Sequence, residues 1–213
     1  MGSLKIIILT SFIATGLNNT GNLIQRRSYS ARAAEVTLFS FGTGTGISSS
    51  ISGHSFIQIK NLYMDNVHIA GILTDYNESV TLGTWGNRDE HHGLRFNLES
   101  QLYYDDYSDF NGRYSISEYI SSEELEDLSS FARSRDTWDV FNNCSSFAAD
   151  CWNLFSDKKV DAGIVPTPLN LKNSISEYDY TVNAPINSTD FCGYMTSTGF
   201  IEVNIWKKIP YYF

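Results

Sequence analysis

Apolar positions in this chain follow two periods, one near two residues and one near three and a half, and the two come in separate blocks. The first block is strand-like. Residues 35–41, EVTLFSF, make a short apolar run, and residues 54–60, HSFIQIK, set Phe56 against neighbours on the opposite face. Residues 66–72, NVHIAGI, and 79–86, SVTLGTWG, read as further strands with the turn-like DYNES between them, and residues 93–100, GLRFNLES, add one more. The Gly/Ser-rich GTGTGISSSISG, residues 42–53, is a loop without the Gly-Lys-Ser/Thr ending of a phosphate loop, which argues against nucleotide binding.

The second block is helical. Ser121 and Glu124 satisfy a capping box, and Leu125, Leu128, Phe131 and Ala132 follow as one stripe. A second helix is expected to begin at or beside Cys144, behind the N-capping types Asn142 and Asn143, with Phe147, Cys151, Leu154 and Phe155 facing inward. Pro166 and Pro168 then steer a loop into a short helix over 169–175. The tail returns to period two, in YDYTVN and in FIEVNIWKKI, where Ile201, Val203 and Ile205 alternate. Strands, then helices, then strands predict an α+β domain with an antiparallel sheet packed against helices. No internal repeat or second-domain linker interrupts it.

Composition narrows this picture. The chain has 213 residues, 42% of them hydrophobic and 14% aromatic, enough for one domain with a real core. Its formal net charge of -9 argues against nucleic acid as a partner. Near the N-terminus, LKIIILTSFIATGL places Lys5 before an apolar run of secretory length that is too short to span a bilayer. Ala31-Arg32-Ala33 fits a small-x-small cleavage pattern, so roughly the first 33 residues are expected to be removed. Residues 34–213 would then be a secreted or cell-surface domain, monomeric and without stable membrane insertion. A buried strand, KIIIL, is the competing interpretation of the apolar run.

The chemistry centres on Cys144. Free cysteine is among the most buried residue types, and Cys144 continues the apolar stripe of its helix. A thiol at a helix start also sits at the positive end of the dipole, which favours the thiolate. That second role needs a base. His54 stands at the start of a strand directly after Gly53, on rigid backbone with a small neighbour, and is the candidate. A third polar group should hold its other ring nitrogen, and the strand carrying Thr84 and Asn87 is the nearest source. Trp85 either lines the pocket or fills the core.

The other titratable residues carry less. His68 lies in an apolar strand and reads as structural. His91 and His92 in EHHG point apart on a strand and lack the spacing of a metal pair, so no metal and no cofactor is expected. Asp105 and Asp106 sit in an acidic aromatic loop without a calcium ligand ladder. Three cysteines leave at least one thiol unpaired, and Cys144 and Cys151 are about 10 Å apart along a helix, too far for a disulfide. Cys151 either pairs with Cys192 or is plain core.

GHSFIQI, followed about ninety residues later by NNCSSFAADCWN at a helix start, resembles the circularly permuted papain-like amidohydrolases. These include NlpC-type cell-wall peptidases and, more distantly, the lecithin:retinol acyltransferase group. The resemblance covers residues 39–155. It implies a papain-like permuted fold with Cys144 as nucleophile and His54 as base. The oxyanion would be held by the Cys144 N–H, aided by the Asn143 or Asn142 side chain. In the acyltransferase group a second histidine about a dozen residues after the first is often the third residue. His68 is near that spacing, and the third position stays open.

The implied activity is hydrolysis of an amide bond in a peptide, with peptidoglycan stem peptides as the expected cell-wall substrate. Two other functions remain in view. One is an acyl hydrolase or transferase acting on lipid or protein with the same residues. The other is a non-catalytic cell-surface binding or toxin-like module whose aromatic residues stack on carbohydrate.

Overall fold

Burial on both faces shapes the central strands. The computed structural model describes residues 32–42, 53–86, 93–105 and 111–203, which fall in the compact unit Ala31–Phe213. In chain order the strands are β1 (Ala34–Gly42), β2 (Gly53–Asn61), β3 (Val67–Ile69), β4 (Ile72–Thr74), β5 (Ser79–Trp85), β6 (Gly93–Phe96), β7 (Tyr114–Ile120), β8 (Thr181–Val182), β9 (Gly193–Thr196) and β10 (Gly199–Glu202). The helices are α1 (Leu98–Asp105), α2 (Ser122–Ser134), α3 (Cys144–Phe155) and α4 (Pro168–Ile175). Eight strands form one sheet in the order β10-β9-β6-β5-β2-β1-β7-β8, antiparallel at every junction, and β3-β4 is a separate hairpin. The expected α+β class with a large antiparallel sheet is therefore observed.

The register assigns the two faces. Leu38 opposes Ile57 and Val36 opposes Ile59. Together with Leu82 they meet Leu125 and Leu128 of α2, Phe147, Ala148 and Trp152 of α3, and Leu171 and Ile175 of α4 in the main core. On the reverse face Phe39 opposes Phe56 with ring centroids 4.8 Å apart, joined by Phe41, Ile186 and Leu102 of α1. A strand buried on both sides needs apolar residues at successive positions, which is why β1 reads as a run instead of an alternation.

Helix ends follow the sequence closely. Ser121 caps α2, its hydroxyl accepting the Glu124 N–H while the Glu124 carboxylate accepts the Ser121 N–H at 2.8 Å. Ser121→Ala should lower unfolding stability by about 1 kcal/mol, read as a shift of the denaturant midpoint at unchanged slope. Leu125, Leu128 and Ala132 are buried as expected. In α3, however, Leu154 is exposed and Trp152 takes the inward place.

Several expectations are corrected. Residues 66–72 are not one strand but the β3-β4 hairpin, because Ala70 and Gly71 take positive φ values of 50° and 95° and turn the chain. His68 is exposed on β3, not packed in a core. The strand expected over 93–100 stops at Phe96. Asn97, at φ 59°, accepts the Thr81 N–H on its side chain and turns the chain into α1, so Asp105 ends a helix and not a loop. The terminal strand is half of a β9-β10 hairpin, with Ile201 exposed. Asn87, His91, His92, Asp106, Ile205 and nearly all of the expected leader lie outside the described residues. Ala33, the last leader residue by that expectation, is buried and pairs with the sheet. Its N–H bonds Ile120 O at 2.8 Å and its carbonyl accepts from Leu62 at 2.9 Å.

Candidate active site

The start of α3 is built by Asn143. Its backbone is extended and its Oδ1 accepts the N–H groups of Ser145 at 2.9 Å and Ser146 at 3.4 Å, while Ser146 Oγ accepts the Asn143 N–H at 2.9 Å. Its Nδ2 donates to Val140 O at 3.1 Å and Pro166 O at 2.8 Å. Both amide hydrogens are committed, so the expected oxyanion role of the Asn143 side chain is corrected to capping. Asn142 is engaged with Thr137 Oγ1 at 2.6 Å and Arg135 at 3.0 Å. The donor left at this helix start is the Cys144 N–H, which has no acceptor among the described residues.

His54 opens β2 behind Gly53, whose φ of 124° suits glycine alone and where a Cβ would lie 2.1 Å from Phe41 O. The ring is nearly buried, at 5% exposure. Its Nε2 bonds Glu99 Oε1 at 2.8 Å. The same oxygen accepts the Trp85 indole N–H at 2.9 Å, and Oε2 accepts the Thr81 hydroxyl at 2.9 Å. The Trp85 ring lies 4.0 Å from the imidazole, centroid to centroid, tilted by 36°. Thr81, Gly83 and Trp85 share one face of β5 by the strand's alternation. Gly83 is the gap in the middle, where a Cβ would sit 2.0 Å from Glu99 Oε1 and 2.8 Å from His54 Nε2.

With Nε2 occupied, Nδ1 is the ring nitrogen left for a second partner, and Cys144 lies near enough for its charge to act on the imidazole. The β2-β5 ladder ends at Ile57–Leu82, three residues short of His54. Ser145 Oγ lies 3.9 Å from the Cys144 sulfur. Cys144 itself is half-buried.

Electrostatics couple the two groups. Burial opposes the charged imidazole, but the Cys144 charge and hydrogen bond, then the Glu99 hydrogen bond and charge, raise the His54 pKa to about 9. Burial likewise opposes the thiolate, yet the His54 charge and hydrogen bond, with the Ser55 N–H and the Ser145 hydroxyl, lower the Cys144 pKa below that of an ordinary thiol. Such coupling favours a thiolate beside an imidazolium, the state from which a thiol nucleophile attacks a carbonyl.

The structure thus brings together Cys144, His54 and Trp85, and it replaces Thr84. Thr84 points to the α3 side of β5 by alternation, and its buried hydroxyl has no hydrogen-bond partner among the described residues. The ring is held instead by Glu99, which the sequence reading missed. The legible clue was the glycine in TLGTW, a gap between two polar side chains on one strand face. Trp85 packs against the Leu98 and Cys192 cluster, as the core reading expected, and its indole N–H is tied to Glu99.

All three cysteines are free thiols. Burial pushes the Cys151 thiol far up, and Cys192 is raised to about 11, first by burial. Neither is a competing nucleophile. Among the described residues no three His, Cys, Asp or Glu side chains gather as a metal site, and no helix is long and apolar enough to cross a membrane. Comparison of the chain with protein-family models, curated proteins and solved structures found no match.

Proposed function

We propose that this protein is a cysteine hydrolase of the permuted papain-like type that cleaves an amide bond. Peptidoglycan stem peptides are the substrate class, and the protein acts outside the cell as a monomer without a cofactor. The observation that supports this is an imidazole held by a buried carboxylate and electrostatically coupled to a helix-start thiol. The Cys144 thiolate attacks the carbonyl carbon, and the displaced electron pair on oxygen is met by the Cys144 N–H. The C–N bond then breaks as His54 gives its proton to the leaving amine. Water, losing a proton to His54, cleaves the resulting thioester to release the acid and the thiolate.

The test joins reactivity to turnover. Iodoacetamide should label Cys144 in the folded protein at mildly acidic pH, with a midpoint below the ordinary thiol range. Purified sacculi should release new amino groups, with activity falling above about pH 9 as His54 loses its proton. A thiol that resists labelling until the protein unfolds would sink the nucleophile, and absence of released amines would sink the substrate.

One observation favours a second reading, acyl hydrolysis or transfer on lipid. Val140 and Phe141, 60% and 68% exposed, and Ile164 and Val165, 97% and 49% exposed, stand on two segments joined by Asn143 Nδ2 beside the nucleophile. Flotation of the protein with liposomes, and loss of flotation in Phe141→Ser with Ile164→Ser, is the result expected for a lipid substrate.

A further inference from the structure

Beneath the proposed nucleophile runs a chain of three fully buried hydroxyls that the mechanism above does not use. Ser40 Oγ donates to Pro168 O at 2.7 Å and lies 2.8 Å from Ser55 Oγ. Ser55 Oγ lies 3.2 Å from Ser145 Oγ, and Ser145 Oγ lies 3.9 Å from Cys144 Sγ. Register explains how these small residues meet. Ser40 and Ser55 are opposite partners on β1 and β2, on the side that faces α3, and Ser145 is the second residue of that helix.

The direction of the chain follows from counting protons. A carbonyl oxygen only accepts, so the single Ser40 proton goes to Pro168 O. Ser55 must therefore give its own proton to Ser40. Ser145 then has two acceptors within reach and one proton. At 3.2 Å against 3.9 Å, the nearer acceptor is Ser55, and with the sulfur as a neutral thiol the proton belongs there. When the Cys144 proton passes to His54, the sulfur becomes a charged acceptor, and hydrogen bonds to charged groups are the stronger kind.

We propose that Ser145 is a positioning residue whose hydroxyl turns from Ser55 to Cys144 Sγ as the thiolate forms, within a relay anchored by Ser40 on Pro168 O. Ser145 keeps its own proton throughout, and the only proton exchanged is the one that moves from sulfur to His54. The proposal rests on Cys144 ionising in the folded protein, as the proposed function requires. It adds that hydroxyls out of contact with the sulfur set how readily it ionises.

The relay makes predictions of opposite sign. Ser145→Ala removes the donor to the thiolate and should raise the Cys144 midpoint by about half to one pH unit. Ser55→Ala removes the competing acceptor, frees the Ser145 proton for sulfur and should lower the midpoint. Ser40→Ala should also lower it, because Ser55 then turns its proton to Ser145 Oγ and Ser145 must donate to sulfur. Ser40 has no contact with Cys144, so a merely structural role would not move the midpoint in that direction.

The measurement is the rate of iodoacetamide labelling against pH on the full chain, with the modified cysteine assigned by mass spectrometry and folding checked by circular dichroism. If one variant does not fold, the remaining two still carry opposite signs or, for Ser55 and Ser40, the same downward sign. A low wild-type midpoint that the folded serine variants leave in place, or move all in one direction with Ser145→Ala, overturns the relay and leaves the nucleophile standing. A wild-type sulfur that titrates like a free thiol overturns both.

Discussion

Cys144→Ala is expected to abolish amide cleavage, with a loss of about 10⁵-fold, because it removes the sulfur that forms the acyl intermediate in the proposed mechanism. Cys151 and Cys192 are buried with raised pKa values and cannot substitute. The fold should survive. The sulfur is half-buried at a helix end, and the cap that starts α3 is Asn143, which the substitution leaves in place. A second readout separates loss of chemistry from loss of structure. The Cys144 charge and hydrogen bond lead the effects that raise the His54 pKa against burial, so the alanine variant should show a His54 titration below about 9 by NMR. A variant that retains turnover would remove Cys144 from the mechanism. A His54 titration that stays in place would separate the ring from the sulfur.

Breaking the hydrogen bond between His54 and Glu99 should cost less, but still several orders of magnitude. Glu99→Ala leaves the imidazole unheld and strands the Trp85 indole N–H and the Thr81 hydroxyl in a buried site. Turnover should fall about 10⁴-fold, by analogy with loss of the orienting carboxylate in other triads. Stability should fall by about 3 kcal/mol, the order expected when one partner of a buried charged pair is removed. Glu99→Gln tests charge apart from shape. It keeps an acceptor for Nε2 but removes the negative charge, so activity should persist in part while the alkaline limb moves below about pH 9.

Gly83→Ala reaches the same bond without touching either partner. Its new methyl would sit 2.0 Å from Glu99 Oε1, and the two side chains must part to admit it. Turnover by Gly83→Ala comparable to wild type would mean that this hydrogen bond does not hold the catalytic ring.

Much of this architecture was readable in one dimension, because local rules act over a few residues. The capping box at Ser121, the helix start at Cys144 and the strand behind Gly53 each depend on neighbours within one helical turn or one strand. Cys144 and His54 could be singled out for the same reason: each carries its context, a helix cap or a glycine, beside it. Glu99 carries none. It sits in a segment that continues a strand pattern, and only the left-handed turn at Asn97 makes it the second residue of a helix. Nothing within one turn of Glu99 in the chain names His54 as its partner.

The sequence by itself therefore determined the α+β class and the helix starts, since period, caps and glycine act locally. Tertiary structure alone decided that Glu99 and not Thr84 holds the ring, and that three serines line up beneath the sulfur. Those contacts depend on strand register and on the point where the β2-β5 ladder stops. A shift of one residue there would send Ser55 of β2 or Thr84 of β5 to the other face.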